Sequence, residues 1–476
     1  MALRLTATLS LNMEPRTLAI LQLGAAFLLE GILKKLAAGN GTGGEQIHAS
    51  AGYTSLAIIY AVFTLANLVA SPIVNLLTAK WAMVAGASCY LLFMLFFVIR
   101  VMEWSLYLTS AALGFGAAIL WTGQGTYIAQ SSDSDTISRN SSISWAMLQM
   151  CSICGGLFLY LAIPADPNAA LSTATVRLIY GSFSVINGLG ILLLLLLKQP
   201  PKASSDLPKP VHREESEEEL LTSPSNPEVL DAVGEDPKPA APLPVHRQAY
   251  KDLVATLSLM RKQEMLLLTP GFMFTGLETA FWTGVYATCL INTAAFSLQH
   301  NTTYALNAIF IGVGEVIGGG CFGIFGARTR RYGRNPIVML GLLAHLLAFY
   351  GAYLILPDCS PVDCAHCLDG EACLRGPWQP TVYIVFGISF LLGLADACWN
   401  TQIYSLLGDV YKAHSAPAFA IFKFWQSLAA AASFLSSSKL GLSYQLISYV
   451  LFGVLGTLAF LPVEFKAQQR SALRSD

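Results

Sequence analysis

Six ionisable side chains fall inside long apolar segments of this sequence: Glu30, Glu278, Glu315, His345, Asp396 and Lys423. Insertion of such a group at the centre of a membrane helix costs about 2.5–3.5 kcal/mol. A group held there serves a function or is bonded to something that offsets the cost. Glu278 and Glu315 each lie mid-segment, in segments adjacent along the chain. If both face a central cavity they could share a proton, because poor solvation and like charge disfavour ionised carboxyls. That is the chemistry of proton-coupled transport. The alternative is structural, with each carboxyl bonded to a backbone group or an arginine at a helix contact. Asp396 and Lys423 fall at similar depths in neighbouring segments. They form a candidate buried ion pair, acting as a structural lock or as a gate.

Uncharged groups add a second set. Residues 105–130, SLYLTSAALGFGAAILWTGQGTYIAQ, carry no charge and are long enough to cross about 30 Å of hydrocarbon. Late in the chain, 392–407 reads LGLADACWNTQIYSLL. Both begin on Leu-Gly (Leu113-Gly114, Leu392-Gly393) and reach a Trp with a Gln three residues on: Trp121/Gln124 and Trp399/Gln402. These four are candidates to line a cavity for a small solute, with aromatic walls and amide donors. Packing between helices is the competing role.

The elements that would position these groups are membrane helices. The chain has 476 residues, 54% hydrophobic and 12% charged, whereas soluble domains carry about 25% charged residues. The apolar residues collect into twelve segments: 17–36, 53–72, 81–100, 105–130, 141–163, 175–197, 264–292, 303–326, 335–356, 379–407, 415–437 and 441–463. The expected fold is an all-α membrane protein, with two pseudo-symmetric six-helix bundles. The first bundle spans 1–197. The stretch 198–247, rich in proline and acid and including Glu214-Glu215-Ser216-Glu217-Glu218-Glu219, reads as a disordered linker. The second bundle and a tail span 248–476, and 248–263 could form a short amphipathic helix on the membrane surface. Matching patterns at Ala57, Ile58, Val62 and Ala308, Ile309, Val313 support parallel repeats about an axis along the membrane normal.

Charge sets an expected orientation. The loop at 327–335 holds Arg328, Arg330, Arg331 and Arg334, and positive loops stay in the cytoplasm. Twelve crossings then place both termini and the linker inside; the choice between plasma membrane and endomembranes stays open. The glycosylation sequons at Asn40 and Asn301 fall outside, and the one at Asn140 inside. Cys359, Cys364, Cys367 and Cys373 crowd one outer loop, where two disulfides are favoured over a metal site. No P-loop, H-E-x-x-H or G-x-S-x-G pattern occurs, so neither an enzyme nor a cofactor or metal site is expected. The net charge of −1 gives no case for nucleic acid. The expected partners are the lipid bilayer, a small solute and, in the alternative, another membrane protein.

GYTSLAIIYAVFTLANL (52–68), ILWTGQG (119–125), SDTISRNSSISWAMLQ (134–149), IFIGVGEVIGG (309–319), YGRNPIVMLG (332–341) and SAPAFAIFKFWQS (415–427) resemble the unc-93-like branch of the major facilitator superfamily. The resemblance runs from about residue 52 to 463. It implies two six-helix bundles that alternate access to a midplane site, and a transporter of an unidentified solute. It also implies an alternative, since some relatives resemble escorts of receptors or subunits of channel complexes. The superfamily's gating loop is not evident after the second segment, where the chain reads LLTAKWAM. A relative of it follows the eighth, at Gly323, Arg328, Arg330, Arg331, Gly333 and Arg334.

Overall fold

A computed structural model of the chain describes residues 51–475, apart from 100–101, 163–172, 200–243, 294–299, 330–332, 363–377, 379–380 and 438. The first apolar segment, with Glu30, and the sequon at Asn40 lie outside the described residues. So do most of the linker, Arg330 and Arg331, and Cys364, Cys367 and Cys373.

Every described element is helical. The first half holds α1 (Ala51–Leu77), α2 (Ala79–Ile99), α3 (Glu103–Gln130), α4 (Ile137–Ala162) and α5 (Thr173–Leu196). A connecting helix, α6 (Val245–Met260), precedes the second half. That half begins with α7 (Gln263–Ala280), which runs through a π-helical turn (Phe281–Val285) into α8 (Tyr286–Asn292). It continues through α9 (His300–Thr329), α10 (Asn335–Ile355), α11 (Val382–Val410), α12 (Ser415–Ser437) and α13 (Leu442–Ser475). Ten of these, α1–α5 and α9–α13, are long and apolar enough to cross a membrane. The run from α7 to α8, of 18, 5 and 7 residues, corresponds to the expected segment 264–292.

Helix ends differ from those read in the sequence at several places, α1 running to Leu77 rather than 72, and two of the differences have a local cause. The connecting helix starts at Val245 rather than at residue 248, with Pro244 as its non-helical N-cap (φ −52, ψ 139), whose carbonyl accepts from the amides of Arg247 and Gln248. The last helix continues past 463 to Ser475, because Glu464 and Arg470 find partners on neighbouring elements.

Packing within the two halves repeats. α1 and α2 both pack on α3, and α2 also packs on α5; α9 and α10 both pack on α11, and α10 also packs on α13. The paired Leu-Gly motifs have a matching steric role. A Cβ at Gly114 would run into the Ile59 carbonyl, and one at Gly393 into the Ile311 carbonyl. Only glycine lets those backbones approach.

The halves meet mainly along α4 with α9 and α1 with α12. The α4–α9 seam is close: a Cβ on Gly312 would come within 2.9 Å of Ser152, and one on Gly319 within 2.9 Å of the Ala146 nitrogen. In lipid this seam gains little from water release, so dispersion and hydrogen bonds must hold it.

One end of the second half is braced by charge. Arg334 donates from Nη1 to Glu464 Oε2 (2.8 Å), from Nη2 to Asp409 Oδ2 (2.8 Å) and from Nε to Ser405 Oγ (3.0 Å). Its backbone amide reaches Glu464 Oε1 at 3.0 Å. α10, α11 and α13 are thereby tied together within one half. Among the described residues the brace joins none of the other half, so Arg334 holds the shape of its own bundle. Beside it, Arg470 reaches Glu264 at 2.6 Å, fixing the start of α7 to the last helix. Lys412 crosses between the halves at this end, donating to the Ser132 carbonyl at 2.5 Å.

Glu464 is 1% exposed in its side chain, so removing its partner leaves a buried charge uncompensated. Arg334→Ala is expected to cost about 3–5 kcal/mol, read as a lower melting temperature of the detergent-purified protein. An unchanged melting temperature would show that the brace contributes nothing.

Candidate functional site

Four titratable residues form one layer. Glu278, Glu315, His345 and Asp396 each lie within one residue of the midpoint of their helical run. All are buried, at 0–1% exposure. Asp396 is the common neighbour of Glu278 and Glu315. Neighbouring buried carboxyls disfavour one another's ionised forms. On the far side of Glu278, its Oε2 lies 2.6 Å from His345 Nε2. The two atoms are at ion-pair distance but off the line of a directed hydrogen bond. The layer is therefore a row of protonatable groups, Glu315, Asp396, Glu278 and His345, contributed by four helices of the second half.

The first half supplies the donors. Trp145 and Gln149 stand one helical turn apart on α4, so they share a face. Trp145 Nε1 donates to Glu315 Oε2 at 2.6 Å, and Gln149 Nε2 donates to Glu315 Oε1 at 2.5 Å. Both carboxyl oxygens of a second-half glutamate are thus held by the opposite half.

A cavity of about 110 Å³ lies between the halves at this level. Asp396 and Asn400 of α11 line it, with Lys423 and Gln426 of α12. Tyr60, Phe63, Trp121, Trp145 and Gln149 close it from the first half. Thr279, Trp282 and Thr283 complete the wall, and the last two belong to the π-turn that follows Glu278. The wider turn shifts the helix register there, a feature that recurs at functional sites. The cavity has room for a few water molecules at about 30 Å³ each, well below the ~300–1,000 Å³ of a drug-sized pocket.

Lys423 does not meet Asp396 in an ion pair. Its ammonium donates to Gln426 Oε1 at 2.7 Å. It also lies over the rings of Phe422 (4.5 Å), Trp121 (5.1 Å) and Tyr404 (5.3 Å). Three ring faces, each worth about 0.5–2 kcal/mol, offset part of its desolvation. The expected Asp–Lys lock is replaced by a cation–π contact across the halves, because α12 turns Lys423 towards Trp121. Gln426 in turn donates to Thr275 at 3.2 Å.

The other candidates separate. Trp121 lines the cavity and donates to the Tyr90 hydroxyl at 3.3 Å. Its repeat partner Trp399 is fully buried inside the second half against Phe274 and Phe460. Gln124 and Gln402 are buried and do not line the cavity, and Gln402 donates to Thr401 of its own helix at 3.0 Å. Glu278 and Glu315 lie behind the wall, and Asp396 is the carboxyl that reaches the cavity. Arg334 serves in the brace. Arg328 lies in the last turns of α9, and Asn301 in its first turn. Cys359 sits in a turn after α10. Among the described residues no cluster has the ligands for a metal ion.

Sequence reasoning passed over Trp145, Gln149, Gln426 and the π-turn. The i, i+4 spacing of Trp145 and Gln149 is a usable signal, since it puts two donors on one face. The π-turn leaves no such mark.

The family model described as "Ion channel regulatory protein UNC-93" matches residues 43–461. UNC93-like protein MFSD11 of Xenopus laevis is 38% identical over 430 residues, covering 90% of each chain. Protein unc-93 homolog A of Bos taurus is 26% identical over 464 residues, covering 88% of this chain and 87% of that one. Among solved structures, a mutant of the nucleoside transporter NupG superposes with a TM-score of 0.57 at 12% identity, over 96% of this chain and 99% of that one. That likeness concerns the fold, which is the major facilitator arrangement of helices. From the extent of the family match and the identity to its relatives, the chain belongs to the UNC-93 family.

Proposed function

We propose that this protein is a secondary transporter of a small solute that works by alternating access and is coupled to protons. The observation that carries the reading is Glu315: a midplane carboxyl of one half, held at both oxygens by donors of the other. Hydrogen bonds to a charged acceptor are worth about 1.5–3 kcal/mol, against about 0.5–1.5 for neutral ones. Moving a proton along the row from Asp396 to Glu315 weakens both cross-half bonds together. The occupancy of the cavity, which Asp396 senses directly, is in this way linked to how tightly the halves adhere. Lys423 over Trp121 adds a second charge-dependent contact between them.

A second reading has one observation in its favour. The family model's own description is of ion channel regulation, which suits a partner that stabilises or escorts another membrane protein without carrying a solute. The two readings differ in whether the halves move. Spin labels at the exposed positions Ser134 and Ala413, one in each half, report that motion without a known substrate. For a transporter, the distance distribution in lipid changes between pH 5 and pH 8, with about a tenfold change in the ratio of two populations, or about 1.4 kcal/mol. Glu315→Gln is expected to remove that pH dependence. One unchanging distance at both pH values, in wild type and variant alike, supports the escort.

The orientation with both termini and the Arg-rich loop in the cytoplasm belongs to the same proposal. So do glycans at Asn40 and Asn301, and disulfides among Cys359, Cys364, Cys367 and Cys373 on the oxidising side. Glycosidase treatment should shift the mobility of the wild type, and by less for Asn40→Gln or Asn301→Gln. Asn140→Gln should change nothing. A shift that depends on Asn140 reverses the orientation.

A further inference from the structure

The connecting helix α6 touches the protein through a narrow strip. Thr256 and Leu259 are its buried residues, and it packs on α1 and α12, one helix from each half. On the opposite side, Tyr250, Val254 and Leu257 are 68%, 45% and 40% exposed. Their spacing of four and three residues makes them one stripe. Arg247, Lys251 and Arg261 flank the same stripe and are exposed. Among the described residues none of these three bases has a carboxylate partner, and the one acid of the helix, Asp252, faces inward, taking a hydrogen bond from Gln248 at 3.1 Å and lining a cavity of about 600 Å³. That cavity is bounded by both Val245 and Leu76. Leu76 is 57% exposed, and Trp81 a few residues on is 45% exposed, as in the aromatic and apolar belt at the rim of a bilayer. Only Arg261 and Lys262 separate it from the α7–α8 run that begins at Gln263. The helix thus lies beside exposed apolar side chains at one end of the bundle.

We infer that the outward face of α6 is a docking surface for anionic phospholipid headgroups on the side of the membrane that carries the linker. A stripe of Tyr, Val and Leu beside unpaired Arg and Lys fits an interfacial helix, whose apolar residues enter the acyl boundary while its bases meet phosphate. Each base near an anionic surface favours binding by about fivefold, so three give on the order of 100-fold. Because α6 spans α1 and α12, lipid held on its face restrains a helix of each half at the same end. The inference concerns the lipid face alone and does not depend on transport.

The test uses the full-length protein in nanodiscs of phosphatidylcholine alone, or with about a third phosphatidylserine. Hydrogen–deuterium exchange is followed over Val245–Met260. The expected result is exchange slower by about tenfold with phosphatidylserine, reversed by about 0.5 M salt. The variant Arg247→Glu/Lys251→Glu/Arg261→Glu should lose the difference, while exchange in α9 and α11 stays as in the wild type and confirms the fold. Equal exchange of the wild type in both lipids overturns the inference. So does protection that ignores lipid but disappears when Glu214, Glu215, Glu217, Glu218 and Glu219 are all changed to Gln, since the acidic linker would then be the occupant.

Discussion

A carboxyl group in the middle of a membrane has to be answered by donors, and Glu315 takes both of its donors from the opposite half of the molecule. This single arrangement orders much else. It requires α4 and α9 to lie close enough for an indole and an amide to span the seam, at 2.6 and 2.5 Å. That closeness in turn requires Gly312 and Gly319, where a Cβ would meet α4. The small residues look like packing detail, but they set the distance at which the polar contact forms. Hydrocarbon gives no hydrophobic force to pull two apolar helices together, so the seam depends on this combination of close backbones and one satisfied carboxyl.

The charges divide into two systems with different consequences. At the end of the second half, Arg334, Asp409, Glu464, Glu264 and Arg470 are paired across α7, α10, α11 and α13. Each partner there is a fixed complement, and the network ties those four helices together at one end. The midplane layer is different in kind. It holds three carboxyls and a histidine, with no arginine among them. Carboxyls packed this closely disfavour one another's ionised forms, so the layer favours states in which they share protons or meet a cationic partner such as a protonated His345. A charge-paired end and a protonatable middle thus stand side by side in one bundle.

Much of the fold was legible because a bilayer imposes strict rules on sequence. Every described apolar segment is helical over nearly all of its expected range, since backbone groups in hydrocarbon have no other way to be satisfied. The midplane ionisable residues were legible for the same reason, their cost making them conspicuous. Their grouping was not. The sequence suggests Glu278 and Glu315 as a pair facing the cavity, yet Asp396 is their common neighbour and is the one that reaches it. Depth along a helix is readable from residue counts, but the rotation of each helix about its axis is not. Lys423 shows the limit most plainly. Its depth suits Asp396, while the rotation of α12 puts its ammonium over Trp121. The π-turn after Glu278 shifts the register again, and no residue pattern announces it.

The repeat sharpens what each half does. Trp121 and Trp399 occupy matching places in the sequence, but one faces the cavity beneath a cation and the other is buried among Phe274 and Phe460. Around Trp399 the second half has given its interior to charge, placing Asp396 three residues away, where the corresponding stretch of α3 is neutral. All four groups of the midplane layer are on the second half, and the first half answers them with neutral donors and aromatic faces. A neutral donor cannot follow pH, so the first half presents the same surface in every protonation state. Within this layer, every group whose charge can change therefore belongs to the second half.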